Sequence, residues 1–422
     1  MDTQQLNGFK TMNLYRNPFA SPTEEAIGTD FIGRKSVLKK MHEYIINADK
    51  ISNYHIVGLP RIGKSSLLKA FKTMIQENHY SHDLVVLYIS LDECDNSNDM
   101  WRIIGKGIRK ELKKQFHSSD KYTNFIDELD FEDVDENNID YEYVCSVARC
   151  MKASGFLGLI LIDEFDNFST IATKGTVGQV RTLFSGSEYG LRAVVASRRM
   201  VERIEKEVEG ALNSNVSILA STFVNGYKLK AFNEDDMKDY WVSIEEKIGV
   251  AVSNRYKEEI DYYVGTHPCL LNLLNGNFWA EKETKNYICD DDSNLKLSEE
   301  LINKLHDSFN WAVWRDMEKW QLLRSLILST WGPDDEIPNS ELSELERYGI
   351  IDKSQFLSES SGPIRIAISR YFTEWMNLKR YVLPFGDEWS KAEGNMRKIV
   401  KCFCDDMYQA VSYTHLRAHE TV

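Results

Sequence analysis

The octapeptide Gly58-Leu59-Pro60-Arg61-Ile62-Gly63-Lys64-Ser65 constrains this chain more than any other feature. It has the form Gly-x-x-x-x-Gly-Lys-Ser and stands between a short apolar run, residues 55–59, and a stretch of helical pattern, residues 66–71. The run reads as a buried strand and the stretch as the opening turns of a helix. Glycines at both ends let the intervening backbone curl until successive N–H groups point at one place. The helix that starts there adds the positive end of its dipole. Such a turn is a seat for phosphate, with Gly58, Pro60, Arg61, Ile62, Gly63, Lys64, Ser65 and Ser66 as the expected contacts. Lys64 can reach the outer phosphates, and the Ser65 hydroxyl suits Mg2+. A glycine-rich strand-to-helix turn can also exist without a ligand. The strand before it and the helix after it decide for phosphate.

Further apolar runs follow at 84–91, 156–162 and 191–197, with a shorter one at 226–229. Near-continuous apolar runs are what strands buried on both faces look like. Helical patterns separate them, clearest where Trp101, Ile104, Ile108, Leu112 and Phe116 recur every three or four residues. This alternation predicts an α/β fold with a parallel sheet covered on both sides. The run at 156–162 ends in two acids, Asp163-Glu164. At the tip of a buried strand, Asp163 suits the Mg2+ shell and Glu164 suits the activation of a water. Asp166 reads as the cap of the next helix rather than as a reserve acid. The stretch 127–142, with nine acids in sixteen residues, reads as a solvated loop or helix face, not a metal site.

Beyond residue 232 the strand signals stop. Helical patterns run over 233–250, 255–264, 268–285 and 298–319, and eight of the nine tryptophans lie past residue 240, which predicts a separate aromatic core. A formal charge of −14 opposes general nucleic-acid binding, which needs a concentrated positive surface. No apolar run is long enough for a membrane-spanning helix, so no membrane partner is expected. Met1–Arg16 lacks the apolar core of a secretory signal, and the expected location is cytoplasmic. The seven scattered cysteines form no Cys-x-x-Cys pair and are expected to be reduced thiols.

Together with Asn17-Pro18-Phe19 and Phe31-Ile32-Gly33-Arg34-Lys35, these motifs resemble the AAA+-related STAND class of P-loop NTPases. The likeness is greatest to prokaryotic ATP-binding proteins with a Gly-x-x-Arg-x-Gly-Lys-Ser loop, and it covers residues 17–375. It implies ATP or ADP and Mg2+ as cofactors, with an adenine-side role for Ile32, Gly33 and Arg34. It implies phosphate sensing by Ser197 and Arg198 at the end of the run 191–197. Charge logic agrees for Arg198, because a guanidinium at the carboxyl edge of a parallel sheet faces the nucleotide crevice; the plain alternative is an arginine solvating a strand end. Residues 227–234 resemble the hinge into a helical lid. Residues 265–271 resemble a Gly-x-Pro element that would bring Pro268 near the nucleotide. His267 reads either as a phosphate contact or as an ordinary helix-start histidine. The implied catalytic set is Glu164, Lys64 and Arg198, with Ser65 and Asp163 on the metal. No arginine finger can be assigned, so efficient hydrolysis and a purely conformational use of ATP both stay open.

The expected layout is a lead-in at 1–30, a P-loop core at 31–232, a helical lid at 233–310, a winged-helix-like domain at 311–375 and the start of a truncated region at 376–410. Residues 411–422 resemble translated sequencing-adapter read-through, which would leave the natural chain cut near Ala410 with an effector beyond. The segment 311–375 carries 7 Lys/Arg against 11 Asp/Glu, and Glu341, Glu344 and Glu346 lie on its second helix. Acids there oppose DNA docking and suit a packing arm. The expected function is an ATP-driven regulatory switch that forms a nucleotide-dependent homo-oligomer and drives an effector. By family analogy its trigger lies in antiviral or stress responses. The rival readings are an ORC/Cdc6-like DNA-handling ATPase and a non-hydrolysing nucleotide-binding scaffold.

Overall fold

The computed structural model describes residues 17–19, 24–47, 50–58, 61–77, 83–116, 138–212, 219–264 and 266–280. They fall into two compact units, one from Ile27 to Leu229 and one joining the residues before it to those from Lys230 onward. The segments expected at 298–319, 311–375, 376–410 and 411–422 lie outside the described residues, as does most of the acidic stretch 127–142.

In the first unit the apolar runs form five strands: β1 (Tyr54–Gly58), β2 (Leu84–Ser90), β3 (Leu157–Asp163), β4 (Leu191–Ser197) and β5 (Gly226–Leu229). They pair in parallel in the order β2-β3-β4-β1-β5. Helix α1 (Lys35–Ile45) precedes them, and α2 (Lys64–Glu77), α3 (Ser97–Phe116), α4 (Tyr141–Ala153), α5 (Lys174–Ser185) and α6 (Val201–Leu212) lie between them. On one face of the sheet, Val85, Leu87, Ile89, Ile160, Ile162, Ala193 and Val195 share a continuous core with α3, α4, α5 and α6. The alternate residues, Val86, Leu159, Leu161 and Val194 among them, point the other way and are equally buried. There α2 crosses β2, β3 and β4. Burial on both faces explains why these strands read as unbroken apolar runs. This is the predicted α/β P-loop architecture.

Helix α3 shows how local signals and packing combine. The Asn96 side chain accepts the N–H groups of Asn98 and Asp99 and so fixes its start. Trp101, Ile104, Ile108 and Leu112 are then at most 1% exposed. Each fully buried side chain of this kind contributes about 1.5–3 kcal/mol, far more than helix propensity. A charge at Ile104, in the middle of that stripe, would undock the helix.

In the second unit the described residues beyond 233 form three helices: α7 (Glu234–Ile248), α8 (Asn254–Val264) and α9 (Pro268–Ala280). Asn233 and Asp236 form a reciprocal capping box at the head of α7, and Gly249, at φ +73°, ends it. Its core is centred on Asn275, which is fully buried. The Asn275 side chain accepts the Tyr256 hydroxyl at 2.8 Å and donates to the Tyr240 hydroxyl at 3.2 Å and the Leu271 carbonyl at 2.8 Å. The expected lead-in 1–30 divides between the units. Asn17 donates to the Gly276 carbonyl at 3.2 Å and Phe19 meets Trp279 edge to face, so this tripeptide packs on α9, whereas Gly28–Asp30 belongs to the first unit. No described helix is long and apolar enough to cross a membrane. Among the described residues, Cys94, Cys145, Cys150 and Cys269 form no disulfide.

Candidate functional site

Parallel strands bring all their carboxyl ends to one edge of a sheet. Register pairs Ser90 with Asp163, Val57 with Ser197, and Gly58 with Leu229, so these tips form a row. The turn leaving β1 is built around two glycines. A Cβ on Gly58 would stand 2.9 Å from the Ile62 side chain and 3.0 Å from the Leu229 carbonyl oxygen, which leaves no room for any side chain. Gly63 adopts φ +95°, a conformation L-residues avoid. Arg61 nevertheless sits at φ +60°, as does Arg34. Arg34 is buried and donates to the Ile62 carbonyl at 3.4 Å, tying residues 32–34 to the turn. Leu67 N–H reaches back to the Gly63 carbonyl, so α2 begins at Lys64. The first N–H groups of a helix have no carbonyl of their own helix to meet, which suits them to an anion.

Lys64 is 5% exposed, and burial lowers its pKa against the pull of Glu164, Asp163 and Asp166, with Arg198 pushing further down. The turn after β1 and the acidic tip of β3 therefore meet at this lysine. Asp163 is 2% exposed; its two carboxylate oxygens accept the Tyr88 hydroxyl at 2.9 Å and the Glu164 N–H at 2.9 Å. Glu164 adopts φ 47°, ψ 43°. Burial raises its pKa, and Asp163 and Asp92 add to the rise while Lys64 and Arg198 oppose it. A carboxyl with a raised pKa beside a buried lysine is suited to proton transfer.

The tip of β4 departs from expectation. Ser197 is fully buried: its hydroxyl donates to the Arg199 carbonyl at 2.5 Å and meets His55 Nε2 at 2.8 Å. With its hydrogen given to Arg199, Ser197 must accept from His55, which places the His55 proton on Nε2. Burial lowers the His55 pKa to about 4, and the Asp166 charge opposes that shift. Arg198 is the more accessible member of this tip, its side chain 39% exposed. Asp166 does not cap the next helix. It accepts the Arg198 N–H at 2.5 Å, the Arg199 N–H at 3.2 Å and Arg199 Nε at 2.8 Å.

The structure thus gathers Gly58, Arg61, Ile62, Gly63, Lys64, Ser65, Ser66, Ile32, Gly33, Arg34, Asp163, Glu164, Ser197 and Arg198 in the first unit. Pro60 lies outside the described residues, and Pro268 begins α9 in the second unit. Asp166, His55 and Tyr88 were not read as site residues. Three acids within four positions at a strand tip, opposite Arg198-Arg199, was the available signal for Asp166.

Neither a family description nor a curated protein matches this chain. Solved structures do. The Walker-type ATPase PABY2304 of Pyrococcus abyssi is similar over 83% of this chain and 97% of that one, with a TM-score of 0.51 and 13% identity. The Aeropyrum pernix ORC2 protein, in ADPNP–ADP complexes, is similar over 88% of this chain and 98% of that one, with a TM-score of 0.44 and 12% identity. AMPPCP-bound DnaA from Aquifex aeolicus gives 0.39 and 12% over 92% and 93% of the two chains. At such identities a likeness concerns architecture, and the first of the three supports the α/β fold described above. This chain has the α/β fold of the P-loop ATPases.

Proposed function

We propose that the first unit binds Mg·ATP and hydrolyses it, and that the chain is a STAND-type regulatory switch whose nucleotide state governs self-association and an effector. The observation that carries this reading is the buried Lys64 ammonium at the head of α2, within electrostatic reach of Glu164 and Asp163 on the same sheet edge. The donor set fits the metal: a hydroxyl at Ser65 and a carboxylate at Asp163 are hard oxygen ligands of the kind Mg2+ prefers. Bound there, Mg2+ would neutralise charge on the outer phosphates. The chain's own residues do the rest. The curled backbone of 61–66 and Lys64 hold the phosphates, and Arg198 offers a second positive charge. Glu164 orients a water and takes its proton as the water oxygen bonds to the γ-phosphorus. The bond from that phosphorus to the bridging oxygen breaks, and ADP leaves with the electron pair.

Titration of the protein with a fluorescent ATP analogue and Mg2+ tests the site. Lys64→Ala should abolish binding with the fold intact; retained affinity refutes the assignment. Glu164→Gln should keep binding and stop turnover, and unaltered turnover would favour the non-hydrolysing scaffold. The same preparation challenged with duplex DNA across a salt series tests the DNA-handling rival, which requires submicromolar, salt-dependent binding.

A further inference from the structure

We infer that Asp166 is the positioning residue for Arg198: it fixes the backbone from which that guanidinium reaches the γ-phosphate, and so underlies discrimination between ATP and ADP. The inference deepens the nucleotide reading above and rests on it.

Asp166 is 1% exposed, three residues beyond the acidic tip of β3. A buried carboxylate is costly unless its lone pairs are all engaged. Here one carboxylate engages both successive amides past the end of β4, those of Arg198 and Arg199. It also takes Arg199 Nε at 2.8 Å, while the Asp166 carbonyl takes Arg199 Nη2 at 3.2 Å. The far end of Arg199 is paired with Glu207 on α6. Arg199 is therefore a strut between β3, β4 and α6, its Nε, Nη1 and Nη2 each bonded within the protein.

Arg198 is held differently. Its amide is bound tightly, yet its Nε stands 3.6 Å from the Asp166 carboxylate, beyond hydrogen-bond length. Asp166 is its ion partner among the described residues, and its charge is felt at both Lys64 and Glu164. The main chain at 198 is thus pinned while the guanidinium keeps its forked donors for an oxyanion near Lys64. A planar fork on a fixed pivot loses little entropy on meeting phosphate. Ser197 cannot share this task, because its hydroxyl is engaged inside the sheet with His55 and Arg199. Positioning therefore falls to Asp166 and contact to Arg198.

The test is calorimetric titration of Mg·ATP and Mg·ADP against the full chain, at a temperature where every variant is folded by circular dichroism. Asp166→Asn weakens the charge-assisted bond that holds the 198 backbone, and should cut the ATP:ADP affinity ratio about tenfold with ADP affinity kept. Arg198→Ala should give the same ratio, and the double variant no lower one, because both substitutions remove one contact. An unchanged ratio in Asp166→Asn, or a double variant that falls by the product of the two single losses, overturns the inference. Should Asp166→Asn not fold, Arg199→Met carries the test. It removes the strut and should cut the ratio about threefold in the native background and not in Arg198→Ala. An unchanged ratio again overturns the inference. Failure of the underlying nucleotide reading looks different: the native chain and Lys64→Ala would then bind ATP alike.

Discussion

The two units bury polar groups for opposite ends. In the helical unit, Asn275 and its partners close on themselves: both tyrosine hydroxyls and the amide find mates, and Tyr240 stays neutral because burial raises its pKa. At the sheet edge the buried polar groups include several charged ones. Asp163, Glu164 and Asp166 crowd one lysine, burial pushes Lys64 down and Glu164 up, and all three non-glycine residues with positive φ among the described residues, Arg34, Arg61 and Glu164, lie at this edge. Strained backbone costs on the order of 1–3 kcal/mol per residue. Burial that ends in a satisfied network buttresses a fold, whereas burial that ends in crowded charge prepares a place for a further charge.

Substitutions can break or sharpen this contrast. The largest effect is expected at Lys64→Ala, which should cost about a thousandfold in Mg·ATP affinity, or about 4 kcal/mol. Its melting temperature reads the other side of the contrast, since the lysine's removal leaves the carboxylates without their cation; a large drop would place Lys64 among the buttresses as well. Next is Asn275→Leu, which removes the acceptor of the Tyr256 hydroxyl and a donor to the Tyr240 hydroxyl and should lower unfolding free energy in urea by about 3 kcal/mol. ATP affinity unchanged in that variant upholds the contrast.

The third prediction concerns acid. His55 is buried neutral with its pKa lowered to about 4 from 6.5. Its contribution is complete above the unfolded value and is lost as pH falls toward the folded one, about 2 kcal/mol of it by pH 5. Melting curves across that window should show the loss in the native chain and a flatter profile in His55→Gln. The smallest effect is Tyr256→Phe, which deletes one hydrogen bond to Asn275 and should cost about 1 kcal/mol in the same urea series.

Much of the sheet edge was legible because its signals are local. The strand runs could be read because burial on both faces leaves no polar alternation, and the turn 58–65 because glycine, lysine and serine must fall at fixed spacing. What escaped depends on distant partners. Asp166 stands where a cap would stand, but its mates are Arg198 and Arg199, 32 and 33 residues on. His55 passed as one more residue of an apolar run, its partner Ser197 lying 142 residues away. Asn17-Pro18-Phe19 reads only as part of a lead-in at 1–30, whereas Asn17 meets Gly276 across 259 residues. Spacing reports the element a residue sits in, not the element it touches.

That last contact bears on how the chain is made. A growing polypeptide delivers residues 17–19 first and Gly276 more than two hundred and fifty residues later. The sheet unit, whose strands all lie within 27–229, is complete on the ribosome before its helical companion has been synthesised. Phe19 therefore stays without its seat on Trp279 throughout that interval, and the emerging helical half must recapture a segment that left the tunnel long before.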